Sequence, residues 1–355
     1  MLGSSRYKVN IKSQESITIH IEQDSVSTVY SFDGVDRIQD MAWSPDSEYI
    51  ALGMSNGLRL FQTDNLSDHQ VFLAPEQVEF HRVAFSHDGR YIAANSIYTI
   101  PNADCIAPDC RYRGILYIWD SRAGDLIGKW AHGYYNSGLV TPHFTDNGRL
   151  LLAVPLFQSD TTHLYEVSLL DFTSQLMYEI ETPVQPVRSI TFSADGEKIF
   201  IGGGRLPNSR IEYNPLSTAY HSYVYDTQTG TLIAELETRS VVYEGQFDND
   251  GTILITSSNL GIQVWDVASA TVTRTIESRG HVDISRDSQT IGYVNCNDIS
   301  RCRLIVDLPN DNQITHTIFY EHPNYLTVQG LTVRFNDDLT YIAVAFAREL
   351  YLFEL

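Results

Sequence analysis

Arg82-Val83-Ala84-Phe85-Ser86-His87-Asp88-Gly89-Arg90-Tyr91-Ile92-Ala93-Ala94-Asn95 is the stretch that decides the fold of this chain. An apolar-rich run ends in Phe85, a Ser-His-Asp-Gly turn follows, and a second extended run starts at Tyr91. Asp-Gly tolerates the positive φ that a tight hairpin demands, so the stretch reads as strand, turn, strand. Downstream lie Ile115–Trp119, the turn Asp120–Asp125 and Leu126–Trp130, which complete a unit of four short strands.

The same junction, an apolar residue running into an Asp- or Asn-bearing turn, recurs along the chain. Its other copies are Trp43-Ser44-Pro45-Asp46, Phe144-Thr145-Asp146-Asn147-Gly148, Phe192-Ser193-Ala194-Asp195-Gly196, Phe247-Asp248-Asn249-Asp250-Gly251, Ile284-Ser285-Arg286-Asp287 and Phe335-Asn336-Asp337-Asp338. Successive leading residues stand 37 to 59 positions apart. Four strands repeating at about 40 to 50 residues is the pattern of propeller blades. No long stretch spaces its apolar residues as a helix would. The expectation is an all-β, seven-bladed β-propeller of four-stranded antiparallel blades, one domain over 1–355, with repeats starting near 38, 80, 139, 186, 241, 280 and 329. The last unit supplies Leu331–Phe335, Tyr341–Phe346 and Leu350–Glu354 and then stops, so Thr28–Phe32, in a closing segment 1–37, is expected to pair with it and close the ring. The strand-like run Ile17–Glu22 is left over, to form a hairpin with Thr28–Phe32 or to cover an edge.

The third strands end in Trp119-Asp120, Leu170-Asp171, Tyr225-Asp226, Trp265-Asp266 and Val306-Asp307, with Phe61-Gln62 and Phe353-Glu354 as weaker forms. A large apolar residue that packs between blades, followed by an acid that starts a turn, fits all of them. In these marks the chain resembles the WD40-repeat family over nearly its whole length, as a divergent member. The Gly-His pair that the family places before the first strand is mostly missing, and Gly280-His281 stands too close to Ser285 to serve as one. The resemblance implies a noncatalytic interaction scaffold that takes a protein or peptide, with the loops from strand four to one and from strand two to three sharing the binding face.

Composition agrees with a single large unit: 355 residues, 43% hydrophobic, formal charge −20, and only Lys8, Lys12, Lys129 and Lys198 as lysines. Such charge argues against nonspecific binding to nucleic acid or anionic membranes, and no apolar stretch is long enough to span a bilayer. Cys105 and Cys110 bracket one loop, Cys296 and Cys302 its counterpart four units later. Two local disulfides fit this arrangement; free thiols and a four-thiolate zinc site compete with it, the latter against unsuitable spacings. Disulfides belong to an oxidising compartment, yet Met1-Leu2-Gly3-Ser4-Ser5 begins no signal peptide. Either the cysteines are reduced in a cytosol or an export signal lies outside this chain.

The loops expected on the binding face are long: Ser96–Gly114, Pro155–His163, Gly202–His221, Asn295–Arg303, Ala131–Gly138 and Tyr320–Gly330. They carry Tyr112, Tyr134, Tyr135, Tyr213, Tyr220 and Tyr325 together with Arg111, Arg113, Arg205, Arg210, Arg301 and Arg303. Arginine forks flanked by tyrosines suit a carboxylate or an acidic peptide, and these residues are the candidate partner-binding set. The competing reading pairs each arginine with acids of its own loop, such as Asp104, Asp109, Glu212 or Asp298. No catalytic motif, metal site or cofactor signature stands out. Gly202-Gly203-Gly204 lacks the Lys-Ser/Thr of a phosphate loop, Asp248–Gly251 lacks the late Glu of a calcium loop, and His132, His221 and His322 are scattered. The alternative function is a propeller hydrolase or lyase with a metal or polar site in the central channel.

Overall fold

A computed structural model describes residues 20–22, 28–31, 37–67, 69–74, 78–99, 112–131, 140–156, 160–184, 187–204, 220–258, 260–278, 280–298, 301–309, 313–319, 331–346 and 349–355. These residues form strands and turns, with no α-helix among them. Blade 1 is Ile38–Trp43, Tyr49–Met54, Gly57–Gln62 and His69–Phe72. Blade 2 is Phe80–Phe85, Tyr91–Thr99, Tyr112–Asp120 and Leu126–Ala131; blade 3 is Thr141–Phe144, Leu150–Pro155, Thr161–Val167 and Ser174–Glu181. Blade 4 is Val187–Phe192, Lys198–Gly203, His221–Asp226 and Leu232–Glu237; blade 5 is Val242–Phe247, Ile253–Ser258, Gly261–Asp266 and Thr271–Ile276. Blade 6 is Val282–Ile284, Ile291–Asp298, Arg301–Asp307 and Gln313–Phe319. Blade 7 is Leu331–Phe335, Tyr341–Phe346 and Glu349–Glu354, and Thr28–Ser31 lies antiparallel on its third strand, Thr28 opposite Leu352.

First strands pack against one another around the ring, and that of blade 7 packs against that of blade 1. They are therefore the innermost strands, along the central channel. The leftover N-terminal run adds His20–Glu22 in parallel to the outer strand of blade 6, His20 opposite Gln313, so it covers an edge and forms no hairpin with Thr28–Ser31. Pairing of this kind removes open backbone donors and acceptors from that edge.

The core is divided into seven apolar clusters, each shared by two adjacent blades. Both faces of every blade are thus buried, which is why second strands such as Leu150–Pro155 are buried at every position. Trp119, Trp265, Tyr225, Val306, Phe61 and Phe353 all sit in these clusters, as their place before a turn predicts. Leu170 does not: it is 96% exposed. The third strand of blade 3 ends earlier, at Val167, and Val167 takes the buried position. Leu170 belongs to the turn itself.

Candidate functional site

Seven copies of one turn close one side of the ring. The residue after each leading apolar residue is buried: Ser44, Ser86, Thr145, Ser193, Asp248, Ser285 and Asn336. Each accepts the backbone N–H at or just before the start of the second strand, from Tyr49 (2.9 Å), Tyr91 (2.8 Å), Arg149 (3.0 Å), Lys198 (2.9 Å), Ile253 (3.0 Å), Thr290 (2.9 Å) and Tyr341 (2.8 Å). The hydroxyls in turn donate to the acid or amide two residues on, as Ser86 Oγ does to Asp88 (2.6 Å) and Ser193 Oγ to Asp195 (2.5 Å). The fourth residue after every leading residue has positive φ: Gly89, Gly148, Gly196 and Gly251, but also Ser47, Ser288 and Leu339. Turns after third strands on this side are closed likewise. Asp120 accepts the N–H groups of Ala123 (2.9 Å) and Arg122 (3.0 Å), and these bonds hold its carboxyl below the usual range.

The opposite side, where second strands end and third strands begin, is different. Asn95, Ser96 and Ser222 are fully buried there, and the Asn95 amide and both hydroxyls have no hydrogen-bond partner in the protein. Ser278 Oγ, after the outer strand of blade 5, and Asn295 Oδ1, near the end of the second strand of blade 6, are unpaired as well. A buried polar atom without a partner costs about 1–3 kcal/mol, so native proteins tolerate few of them. Most of the unpaired buried atoms lie toward this side, whereas His143 Nε2, near the end of the first strand of blade 3, lies toward the other.

The candidate partner-binding residues that the structure describes fall on three blades of this side. Tyr112 and Arg113 open the third strand of blade 2, opposite Thr99 and Tyr98. Arg301 and Arg303 open that of blade 6, and Arg303 is exposed. Tyr220 precedes that of blade 4, half-buried against Gly204. Arg111, Tyr134, Tyr135, Arg205, Arg210, Tyr213, Tyr325, Cys105 and Cys110 lie outside the described residues. The hairpins of blades 2 and 6 run further as strands than the loops read from sequence, to Thr99 and Asp298. Cys302 is buried and disulfide-bonded; Cys296 is on the opposing strand, near Asn295, which pairs with Arg303.

Sequence reasoning missed the charged cluster on the innermost strands. Arg334 of blade 7 donates to Glu244 of blade 5 (3.0 Å) and stands 3.9 Å from Asp40 of blade 1. Glu244 also meets the His281 ring (2.9 Å) and the Val282 N–H (3.2 Å) of blade 6. Asp283 of blade 6 accepts the Phe335 N–H of blade 7 (2.8 Å). Arg334 and Glu244 together therefore tie four blades. Burial pushes Asp283 up to about 6 despite the nearby Arg334 charge, whereas His281 and Arg334 outweigh burial at Glu244 and hold it well below the carboxylate range. The only sequence signal was a charged residue one or three positions before the leading residue, which a survey of turn residues passes over.

Among the described residues, no three His, Cys, Asp or Glu side chains are grouped so as to hold a metal ion, and no helix is long and apolar enough to cross a membrane. Neither a family model nor a curated protein matches the chain. Solved structures do. A chain of the mitotic checkpoint complex aligns over 99% of both chains at TM-score 0.67 and 12% identity. The Cps50 (Swd1) β-propeller domain of Myceliophteria thermophila aligns over 92% of this chain and 100% of its own at TM-score 0.63 and 10% identity. At such identities the likeness is one of architecture alone, and it agrees with the seven blades seen here: the chain is a seven-bladed β-propeller.

Proposed function

We propose that the chain is a noncatalytic interaction scaffold that binds a protein or peptide, acidic in its contact segment, on the side where second and third strands meet. The observation that carries this reading is the contrast between the two sides of the ring. On one side the seven turns from first to second strands are closed by their own hydrogen bonds. The other holds unpaired buried polar atoms near strand ends, and in sequence the connections from those ends bear Arg111, Arg113, Arg205, Arg210, Arg301 and Arg303. Loops whose ends a rigid scaffold fixes are where binding surface accumulates. Arginine presents a planar fork that meets carboxylates two bonds at a time, and tyrosine gives contact area with a polar tip. The architectural likeness to a chain of a checkpoint complex supports a role in assembly rather than turnover.

The test is affinity capture with three proteins. One is the intact chain, one carries Arg111, Arg113, Arg205 and Arg210 replaced by Ser, and one carries Arg90 and Arg122 replaced by Ser on the opposite side. A partner held by the first and third and lost by the second is the expected result. Equal retention by all three, or loss only with the third, would place binding elsewhere.

A further inference from the structure

Around the channel, the third residue before the leading residue does the same work at three seams. Asp40 accepts the Val83 N–H of blade 2 (3.1 Å), Ser189 accepts the Gly245 N–H of blade 5 (2.9 Å), and Glu244 accepts the Val282 N–H of blade 6 (3.2 Å). A β-bulge just ahead of Asp40, Ser189 and Glu244 sets this register, and blade 2 has the same bulge, between Phe80 and Arg82. In blade 2, however, the acceptor position holds Arg82, which can only donate. The residue it would serve on blade 3 is Pro142, which has no N–H to offer. The exception on one strand is matched by an exception on the next. Arg82 is thereby released from the task its counterparts perform.

What Arg82 does instead is not structural in any evident way. Its guanidinium makes one hydrogen bond, to the carbonyl of its own neighbour His81 (3.2 Å), and it is half-buried on an innermost strand. Directly opposite on the second strand is Asn95, at 0% exposure, with both amide atoms unpaired. Residues opposite one another in an antiparallel pair share a face, with Cβ atoms about 5 Å apart. An unpaired amide oxygen thus lies within reach of a guanidinium whose other donors are unused. His81 stands beside them, its imidazole kept neutral by burial and flanked by Glu79, Arg82 and Asp40. Glu79 accepts from Gln39, and Asp40 is committed to Val83 and Arg334.

We propose that Arg82 is a carboxylate-binding residue at the channel wall of blade 2, with Asn95 as its positioning residue. An incoming carboxylate draws the guanidinium off the His81 carbonyl, and the Asn95 oxygen accepts one N–H of the turned fork while the carboxylate accepts two others. Charge-assisted paired bonds of this kind are the strong ones, and satisfying a buried amide adds to the gain. The assignment rests on the scaffold reading and names the chemistry its channel side takes: an acidic side chain or terminal carboxylate of a peptide, or a small free carboxylate.

Titration of the intact chain with a fluorescent Glu-Ser peptide, its Gln-Ser analogue, succinate and inorganic phosphate tests this. The Glu-Ser peptide is expected to bind, the Gln-Ser analogue not. R82A is expected to weaken binding by about tenfold or more, and R82K to fall between, because it keeps charge but loses the fork. Binding by succinate as well would assign the site to free carboxylates; binding by the peptide alone assigns it to a protein segment. N95L separates positioning from scaffolding: it should raise the denaturation midpoint of the free protein while lowering affinity. Affinity unchanged in R82A, or no binding of either carboxylate to the intact chain at millimolar concentration, overturns the subsite. Partner capture that survives R82A but is lost with the loop arginines would leave the scaffold reading standing and remove this one.

Discussion

The two sides of this ring join the same strands in opposite ways. On one side a buried hydroxyl, carboxylate or carboxamide oxygen receives the amide at or just before the start of the second strand in all seven copies, so the turn is complete in itself. On the other side, Asn95, Ser96, Ser222, Ser278 and Asn295 keep unpaired atoms near strand ends. A chain that can satisfy its polar atoms seven times over has no mechanical reason to leave others unsatisfied. On the proposed reading the difference is one of use: the first side sets the scaffold, and the second meets the partner.

That contrast presupposes a ring that stands without its open side, and Arg334 is the strongest test of it. R334L would leave Glu244, Asp283 and Asp40 buried around an apolar side chain. Breaking a buried ion pair from one partner costs about 3–5 kcal/mol, and that loss is expected in urea denaturation. A loss below about 1 kcal/mol would mean that apolar packing between blades closes the ring alone.

The next effect has an unusual sign. Asp283 titrates in the folded protein at about 6, above the 3.8 of an ordinary aspartate, so the folded state holds its proton more tightly than the unfolded one. Stability contributed by the protonated acid is complete below about pH 4 and is lost as pH rises through 6. The D283N variant accepts the Phe335 N–H with its carbonyl oxygen and never ionises. It should be more stable than the natural chain by about 3 kcal/mol above pH 6, the difference vanishing below pH 4. Glu244 works the other way: its stabilisation is full above its ordinary range and is lost progressively as pH falls below that range toward its depressed folded value. Equal stability of D283N and the natural chain at pH 7.5 would show that Arg334 neutralises Asp283 fully.

Architecture was legible because the turn that builds it is local. Phe-Ser-x-Asp-Gly carries its hydrogen bonds within six residues, so the sequence holds the whole device, and the exposed Leu170 was misread only because a strand ended three residues early. The hub at Arg334 was not legible, since its partners Asp40, Glu244 and Asp283 are 51 to 294 positions away and meet only when the ring closes. Arg82 escaped for a related reason. A lone arginine in a strand says nothing until Asp40, Ser189 and Glu244 are seen to do something it does not. Tyr112, Arg113, Arg301 and Arg303 were assigned to loops from the sequence, yet all four stand on strands, because hairpins extend as far as their backbones can pair.

The smallest effects decide the comparison most directly, because one chemical change is made on both sides. Ser193 on the closed side accepts the Lys198 N–H at 2.9 Å and donates to Asp195. S193A leaves that amide buried without a partner and is expected to cost about 1–2 kcal/mol. Ser222 on the open side is equally buried, and its hydroxyl has no partner to lose. S222A deletes an unsatisfied polar atom while keeping the fold of the strand, so it should be neutral or slightly stabilising in the same denaturation assay. If both variants lost stability equally, the Ser222 hydroxyl would be satisfied within the folded chain and the two sides would not differ in kind. If S222A alone were neutral in stability yet weakened partner capture, the polar atoms of the open side would be assigned to the partner, since only a partner could be using them.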